Sequence, residues 1–251
     1  MLDNIKIAFF DLDGTLTNNE KIITEETIYA LKKLKNKNIK LVLASGRWDK
    51  FLLDYDTNIN LFDYLVCNNG AEVYDIKNKK AIKEEVLDKD LVEDIKRYCK
   101  SIGVDLFLNV LLDRIGANEE INSNVYQVVL KCNKIEQVDK MIEYAKEKNI
   151  KIPYISLAYY LKQENKNISI NFNTMSTDKG TSIEYLLNYL NIDKKDSICF
   201  GDNTNDIDMF NACGIKVAMQ NGLEELKDMA DYVTISNDED GVAYFINTKI
   251  L

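Results

Sequence analysis

The 251-residue chain contains no histidine. This absence excludes Ser-His-Asp and Cys-His catalysis, zinc sites with histidine ligands, and imidazole as a general base. Acid–base chemistry would have to use carboxylates, lysine, tyrosine or cysteine. Positive charge is also scarce, because 32 Lys and Arg face 41 Asp and Glu, which gives a net charge of −9. Nucleic acid binding needs a clustered excess of Lys and Arg, so we expect no nucleic acid partner.

Cysteine pairs and long apolar runs are missing as well. The five cysteines are odd in number and none has CxxC spacing, which argues against a disulfide framework or a four-cysteine zinc site. We expect them to be small buried hydrophobic residues in a reducing compartment. No stretch approaches the roughly 18 apolar residues that a membrane span needs, and the first apolar run is too short for a signal peptide. We therefore expect a cytoplasmic protein with no membrane partner.

Several glycine motifs are absent too. The chain has no GxGxxG, no GxxxxGK[ST] and no GxSxG. The dinucleotide-binding, P-loop and α/β-hydrolase interpretations therefore lose the residues on which they would rest.

Apolar runs that each stop at a turn-forming cluster recur in the outer parts of the chain. Runs that are apolar on both faces are typical of strands in a parallel sheet covered on both sides. Between the first two runs, Ile28, Leu31 and Leu34 are spaced for one face of a helix over Thr24–Lys35. The outer segments therefore predict an α/β fold with a Rossmann-like, doubly wound parallel sheet. The runs are Ile5–Phe10, Ile39–Ala44, Tyr64–Cys67 and Ser197–Phe200.

The middle of the chain has a different pattern. Two amphipathic helices are predicted, over Asp90–Ile102 and Ile135–Lys148, and two strand-like runs follow each of them. This αββαββ order indicates an α+β module with its own sheet, inserted into the first one. We place the core at residues 1–80 and 177–251 and the inserted module at residues 81–176. The predicted strands lie near Val104–Leu112, Val125–Cys132, Ile152–Leu161 and Asn167–Phe172.

Carboxylates follow two of the predicted core strands. Asp11 and Asp13 come directly after the first strand, and Asp202 and Asp206 follow the run that ends at Phe200. In an open parallel sheet, ligands bind outside the carboxyl ends of the strands. Carboxylates this close repel unless a divalent cation lies between them, and Asp oxygens without His or Cys suit Mg²⁺. A solvated turn at Asp13 and a helix-capping run at Asp202 are the alternatives.

Anion-binding groups are predicted at the same edge of the sheet. Ser45 and Gly46 offer a hydroxyl and backbone N–H groups at a strand-to-helix turn, and Lys179 comes just before a predicted helix. A cation site, an Asp nucleophile, a lysine and backbone donors together indicate phosphoryl transfer, in which catalysis is mainly positioning and charge neutralisation.

The motifs that carry these residues resemble those of the haloacid dehalogenase superfamily, and more narrowly its Cof-type, cap class IIB sugar-phosphate phosphatases. The resemblance implies the fold of that superfamily, with the inserted αββαββ module as its cap domain. The motifs are DLDGTLT (11–17), ASGR (44–47), NNGA (68–71), DKG (178–180), FGDNTNDIDMF (200–210), VAMQN (217–221) and SNDEDGVA (236–243).

The resemblance also implies a role for each matching position. Asp11 would attack the phosphate and form an aspartyl-phosphate, and Asp13 would protonate the leaving alcohol and then activate water. Mg²⁺ would be held by Asp11, the backbone carbonyl of Asp13, and Asp202, with Asp206 nearby or behind these ligands. The phosphate would be bound by Ser45, Lys179 and Asn205, and the substrate entrance would be lined by Gly46, Arg47, Asn69 and Gly70.

The predicted function is a Mg²⁺-dependent phosphatase of small phosphorylated metabolites such as sugar phosphates. A phosphomutase of the same superfamily is the first alternative, because such mutases also use an acid–base Asp. A non-enzymatic phospho-acceptor domain of receiver type is the second, although receivers lack an insert of about 95 residues. The expected partner is a small phosphorylated metabolite, and we expect a monomer or a weak homo-oligomer.

Overall fold

The computed structural model describes residues 2, 4–55, 57–155, 161–163 and 166–251. The chain divides into two compact units. The first consists of Met1–Arg47, Phe51–Lys83 and Asp178–Leu251, and the second of Trp48–Lys50 and Glu84–Thr177. The second unit thus includes three residues that lie in the predicted core segment 1–80. That the two units are independent domains, catalytic core and cap, stays a prediction.

Eight strands form the first sheet, in the spatial order β13-β12-β11-β1-β2-β3-β4-β5. The five pairings from β13 to β3 are parallel, and β4 is antiparallel to β3. The parallel strands of this sheet point their carboxyl ends to one edge. The strands are β1 (Ile7–Phe10), β2 (Lys40–Ala44), β3 (Tyr64–Cys67), β4 (Glu72–Asp75), β5 (Lys80–Glu84), β11 (Ser197–Gly201), β12 (Ile215–Met219) and β13 (Tyr232–Thr234).

The first sheet is covered on both faces, which explains why its strands are apolar without alternation. Along β1, Ala8 and Phe10 belong to one buried apolar cluster, whereas Ile7 and Phe9 belong to another. All four side chains are fully buried. Successive residues of a strand point to opposite faces, so both faces must be apolar when helices pack on both.

Two helices of the first unit begin at a side chain that caps them. Thr24, the residue before α1, accepts a hydrogen bond from the backbone N–H of Thr27 at 3.2 Å, and Asp178 does the same for Thr181 at 2.6 Å. The α-helices of the first unit are α1 (Glu25–Asn36), α5 (Lys179–Tyr189), α6 (Ile207–Ala212), α7 (Glu224–Met229) and α8 (Gly241–Phe245). Helix α2 (Asp49–Tyr55) has its first two residues in the second unit and the others in the first.

The second unit has a five-stranded antiparallel sheet in the order β7-β6-β8-β10-β9. One face of this sheet packs with the two helices around a buried apolar cluster. Its elements are α3 (Lys89–Ile102), β6 (Asp105–Val110), β7 (Asp113–Gly116), β8 (Val125–Cys132), α4 (Ile135–Glu147), β9 (Lys151–Ile155) and β10 (Ile168–Asn173).

The second unit therefore follows the predicted αββαββ order with one additional strand, β7. This strand is short, polar and at the edge of the sheet, so it lacks the apolar alternation by which strands are found in a sequence. The predicted strand Ile152–Leu161 corresponds to β9 over Lys151–Ile155. Residues 156–160 of that prediction lie outside the described residues.

All five cysteines lie within the described residues, where they are buried and form no disulfide, as the sequence predicts. Among the described residues, no helix has the length and apolar character that crossing a membrane requires.

Asp94 links the two helices of the second unit. Its carboxylate lies on α3 and accepts a hydrogen bond from the Tyr144 hydroxyl of α4 at 2.9 Å, and it pairs with Lys148 at 2.8 Å and with Arg97 at 3.1 Å. The hydrogen bond of Lys148 and then that of Tyr144, with smaller effects of the Arg97 hydrogen bond and the Lys148 charge, lower the pKa of Asp94 to about 2. A carboxyl whose pKa is lowered by folding stabilises the folded state at every pH above its ordinary range.

We expect Asp94→Asn to lower the free energy of unfolding at pH 7. The difference from the native protein should shrink as the pH falls from about 4 to about 2, because native Asp94 loses its charge over that range. Urea unfolding at a series of pH values measures this difference. Glu143→Gln, which removes an exposed acid of α4, is the control and should show no such pH-dependent gap. An equal gap at pH 7 and pH 3 would contradict the assignment.

Candidate active site

The candidate site lies where β1 and β11 end. These strands are parallel neighbours with Phe10 opposite Phe200, and the backbone N–H of Asp11 donates to the carbonyl of Phe200 at 3.0 Å. The residues that follow the two strands are consequently held side by side. Asp11 follows β1 and Asp202 follows β11, so the sheet itself brings these two carboxylates together.

Three carboxylates and one lysine form the centre of the site. Oxygens of Asp11, Asp202 and Asp206 all lie within 4.8 Å of one another. The Nζ of Lys179 lies 2.5 Å from Oδ1 of Asp11 and 2.6 Å from Oδ1 of Asp206. The Lys179 side chain is completely buried, as is that of Asp206. A buried ammonium group is tolerated here because it makes two short, charge-assisted hydrogen bonds.

The charges of this group are unbalanced, because three acids share one lysine. Burial raises the pKa of Asp11 well above its ordinary value, and the charges of Asp206 and Asp202 add to this effect, although Lys179 opposes it. Burial and the charge of Asp206 raise the pKa of Asp202 to about 7. Burial alone would lower the pKa of Lys179, but the charges of Asp11 and Asp206 outweigh it and raise this pKa. An excess of buried negative charge is the environment that a divalent cation stabilises.

The hydrogen bonds distinguish the three acids. Both oxygens of Asp206 are engaged, since Oδ1 accepts from Lys179 and Oδ2 accepts from the backbone N–H groups of Asp202 at 3.0 Å and Asn203 at 3.1 Å. In Asp11 and Asp202, by contrast, only Oδ1 accepts a hydrogen bond within the described part of the chain. The donor set therefore fits a hard cation such as Mg²⁺, with Asp11 and Asp202 offering oxygens and Asp206 holding the turn behind them.

Glycine is required at two close approaches around the acids. A Cβ at Gly14 would lie 2.5 Å from Oδ2 of Asp202, and φ at Gly14 is +91°. A Cβ at Gly201 would lie 2.7 Å from Cβ of Asp206. Only a residue without a side chain lets the backbone come so near to these carboxylates. The sequence motifs D-x-D-G and G-D-x-x-x-D thus have a steric reason in this fold.

A second loop follows β2 and meets the turn after β3. Ser45 is buried, and its carbonyl accepts from the N–H of Asn69 at 3.1 Å. A Cβ at Gly46 would lie 2.7 Å from Oδ1 of Asn69. The carboxamide of Asn69 is buried, yet neither of its polar atoms has a hydrogen-bond partner among the described residues. Buried polar atoms are nearly always satisfied, so this carboxamide is available to a ligand or to water.

The turn after β3 is in backbone contact with the start of α5. φ at Gly70 is +102°, and a Cβ there would lie 2.0 Å from the carbonyl oxygen of Asp178. Lys179 is the next residue along the chain. The loop that carries Asn69 and the helix that carries Lys179 therefore touch through their main chains.

The Asp13 side chain is paired with two cations. Its carboxylate accepts from Arg47 at 3.0 Å and 3.3 Å, and Lys21 lies 3.2 Å from Oδ1. Burial favours a higher pKa for Asp13, but the hydrogen bonds and charges of Arg47 and Lys21 outweigh it and hold the pKa below its ordinary value. Asp13 is one-third exposed, so this pair of cations lies at the rim of the site.

The residues predicted from the sequence fall into three places. Asp11, Asp202, Asp206 and Lys179 form the centre, whereas Ser45, Gly46, Asn69 and Gly70 form the second loop. Asp13 and Arg47 form the rim. Asn205 is half-buried in the turn Thr204–Asp206 that follows β11.

Sequence analysis missed three residues that support the site. Thr15 donates to Oδ1 of Asp202 at 2.8 Å, and Asn221 donates to the carbonyl of Gly14 at 2.8 Å. Both lie inside motifs of the resemblance, DLDGTLT and VAMQN, which was the available signal. Lys21 lies outside every motif, and no sequence signal links it to Asp13.

Comparison with known proteins identifies the family of this chain. The family model for haloacid dehalogenase-like hydrolases matches residues 8–115 and 111–246. Phosphoglycolate phosphatase 1 of Saccharolobus solfataricus is 30% identical over 97% of this chain and 95% of its own length. The 5-amino-6-(5-phospho-D-ribitylamino)uracil phosphatase of Bacillus subtilis is 28% identical, with 97% of each chain covered.

Two solved structures have the same fold. A haloacid dehalogenase-like hydrolase from Bacteroides thetaiotaomicron superposes with a TM-score of 0.84 at 23% identity, covering 98% of this chain and 100% of its own. A subclass IIB sugar phosphatase of the superfamily superposes with a TM-score of 0.77 at 23% identity, covering 96% and 98%. The chain therefore belongs to the haloacid dehalogenase-like hydrolase family, as a phosphoric monoester hydrolase of the Cof type.

We expect Lys179→Met to lower the free energy of unfolding by about 3–5 kcal/mol, because it leaves buried carboxylates without their cation. Denaturant unfolding in the presence of a chelator measures this loss. Lys6→Met is a matched control, since Lys6 also pairs with an aspartate at 2.7 Å but is 62% exposed, and it should change stability little. Equal effects of the two substitutions would mean that burial of the Lys179 pairs contributes nothing.

Proposed function

We propose that this phosphatase hydrolyses small phosphorylated metabolites, sugar phosphates among them, through an aspartyl-phosphate on Asp11 with Mg²⁺ as cofactor. The observation that carries the proposal is the placement of Asp11. Its carboxylate follows the central strand β1, is buried, and is paired at 2.5 Å with a lysine that is itself held by Asp206. Such a carboxylate is fixed in position and shielded from water, as a nucleophile should be.

In the proposed first step, an oxygen of Asp11 attacks the phosphorus of the substrate and the bond from phosphorus to the alcohol oxygen breaks. Asp13, as a carboxylic acid, gives its proton to that oxygen. In the second step, Asp13 as a carboxylate takes a proton from water, whose oxygen attacks the phosphorus and releases Asp11 and inorganic phosphate. Every proton transfer is thus made by a carboxyl group, which is consistent with a chain that has no histidine.

The protonation of Asp13 depends on its neighbours. Arg47 and Lys21 keep its pKa below the ordinary value in the absence of substrate, so Asp13 is then a carboxylate. A dianionic phosphate beside Asp13 opposes that shift, because a nearby negative charge favours the protonated form. Binding of the phosphate therefore supports the change of Asp13 from carboxylate to acid.

Lys179 and the second loop are proposed to bind the phosphoryl oxygens. Lys179 supplies a positive charge, which needs no proton transfer during the reaction, since its pKa is raised. The Ser45 hydroxyl, the N–H groups near Gly46 and the carboxamide of Asn69, which has no hydrogen-bond partner in the part of the chain that is described, would be neutral donors to the same phosphate. Asn205, in the turn after β11, is proposed to face the same phosphate.

Mg²⁺ would be held by Asp11, Asp202 and the backbone carbonyl of Asp13. It would neutralise negative charge on the phosphoryl oxygens and on the acids around them. Asp206 is proposed to act behind these ligands, because both of its oxygens already accept hydrogen bonds. It positions Lys179 and the turn that presents Asp202.

The substrate class rests on two kinds of support. The relatives are named as phosphatases of phosphoglycolate and of a phosphorylated ribityl compound, both small metabolites. One of the superposed structures is named a sugar phosphatase. A phosphomutase remains the alternative, since Asp13 could also return the phosphoryl group to a sugar hydroxyl. A receiver-type acceptor would instead keep a long-lived phosphate on Asp11 without turnover.

We expect purified protein to hydrolyse p-nitrophenyl phosphate in the presence of Mg²⁺ and to lose this activity when EDTA is added. Asp11→Asn should reduce kcat by at least about 10³-fold, because the amide is a poor nucleophile and carries no charge. Asp228→Asn, on the exposed side of α7, is the control and should keep full activity. Activity that survives EDTA or Asp11→Asn would refute the mechanism.

The alternatives are separated by following the phosphate. With ³²P-labelled hexose phosphate, hydrolysis releases labelled inorganic phosphate, whereas a mutase returns the label to a sugar. Rapid acid quenching followed by digestion should locate the transient label on Asp11 and leave Asp11→Asn unlabelled. Label that accumulates on Asp11 without release would favour the acceptor hypothesis.

A further inference from the structure

We propose that Lys21 and Arg47 together bind a carboxylate on the alcohol part of the substrate, so that phosphorylated hydroxy acids and sugar acids are preferred over neutral phosphorylated alcohols. This inference rests on the proposed function, in which Asp13 protonates the leaving alcohol. In that mechanism Lys21 acts only through the pKa of Asp13 and contacts no part of the substrate, and it lies in no motif of the sequence.

The two cations meet at one carboxylate. The Nζ of Lys21 lies 3.2 Å from Oδ1 of Asp13, and Arg47 reaches Oδ2 with Nε at 3.0 Å and Oδ1 with a terminal nitrogen at 3.3 Å. Two positively charged side chains therefore share a group of the size and charge that a substrate carboxylate has. The Lys21 and Arg47 side chains are 59% and 47% exposed, which leaves both accessible to a ligand.

Lys21 and Arg47 both contact the same short helix. The guanidinium of Arg47 lies over the ring of Phe51 in α2, with its carbon 5.0 Å from the ring centroid. Phe51 packs on Tyr55 one turn later, with ring centroids 5.4 Å apart. The Tyr55 hydroxyl donates a hydrogen bond to the backbone carbonyl of Lys21. One face of α2 thus supports the guanidinium of Arg47 and the backbone of Lys21.

The position of Asp13 relates this pair to the alcohol. A general acid must lie within hydrogen-bond distance of the oxygen that it protonates. Lys21 and Arg47 each lie one hydrogen bond beyond Asp13, so their charges are about 6 Å from the ester oxygen. A carboxylate separated from that oxygen by two carbon atoms can reach this distance. A substrate that ends in a hydroxyl at the same place would gain no charge-assisted bond.

The test compares two substrates with the same three-carbon skeleton, 3-phosphoglycerate and glycerol 3-phosphate. They differ only in a carboxylate against a hydroxymethyl group. We expect a higher kcat/KM for 3-phosphoglycerate, by about tenfold or more, and a preference that falls as the salt concentration rises. Lys21→Met should cut the preference about tenfold. Any change that Lys21→Met makes to Asp13 itself affects both substrates alike, so the ratio isolates the contact with the carboxylate.

Two further variants sharpen the comparison. Lys32→Met removes one positive charge from an exposed position of α1 and should leave the preference within twofold. Tyr55→Phe keeps every charge but frees the backbone of Lys21, so we expect a smaller loss of preference than in Lys21→Met. Equal kcat/KM for the two substrates, or a preference unchanged in Lys21→Met, would overturn the inference.

The proposed function has a separate outcome in the same assay. Hydrolysis of p-nitrophenyl phosphate without preference for the acid refutes the carboxylate contact and leaves the mechanism standing. No Mg²⁺-dependent hydrolysis of any of the three compounds refutes the mechanism, and the inference with it.

Discussion

The pairing of Lys179 with Asp11 and Asp206 is the interaction on which the rest of the site depends. A lysine that is completely buried must give up its hydration, and only close anions can replace it. Asp11 comes from the end of β1, Asp206 from the turn after β11, and Lys179 from the start of α5. The ion pairs therefore fix three separate segments of the chain at one point, and they can do so only where the sheet has already brought its strand ends together.

The same centre cannot reach electrical balance with side chains alone. Three acids and one lysine leave an excess of negative charge in a place with little water, and the raised pKa of Asp202, about 7, expresses that excess. Such an excess of charge lowers the stability of the folded protein when nothing is bound at the site. It is explained by what the site is proposed to hold, a divalent cation first and then a phosphate. The proposed function thus requires clustered carboxylates that destabilise the folded protein when no cation is bound. Asp206 reduces this cost, because it accepts hydrogen bonds from two backbone N–H groups.

Much of the fold could be predicted from the sequence because buried parallel strands and amphipathic helices have distinct periods. The run at Tyr64–Cys67 and the strand Val125–Cys132 have the predicted bounds, since apolar residues define both ends. β7 could not be found, because a short polar edge strand is stabilised by pairing with β6 and not by its own side chains. In the site, the acids at strand ends were predictable from topology. The contacts of Lys21 could not be predicted, because they depend on the path of the loop that brings Lys21 back to Asp13. No periodic pattern in the sequence indicates that path.

Gly70 has a consequence for how this protein can change. Its Cα faces the carbonyl of Asp178 so closely that no side chain fits, and the Ser182 hydroxyl of the same helix donates to the Gly70 carbonyl at 2.5 Å. A contact between two side chains can change through paired substitutions, but the close approach of the two main chains at Gly70 has no side chain to exchange. Substitutions that enlarge this pocket must therefore be made at the rim or at Asn69. The loop around Gly70 and the start of α5 must then move together.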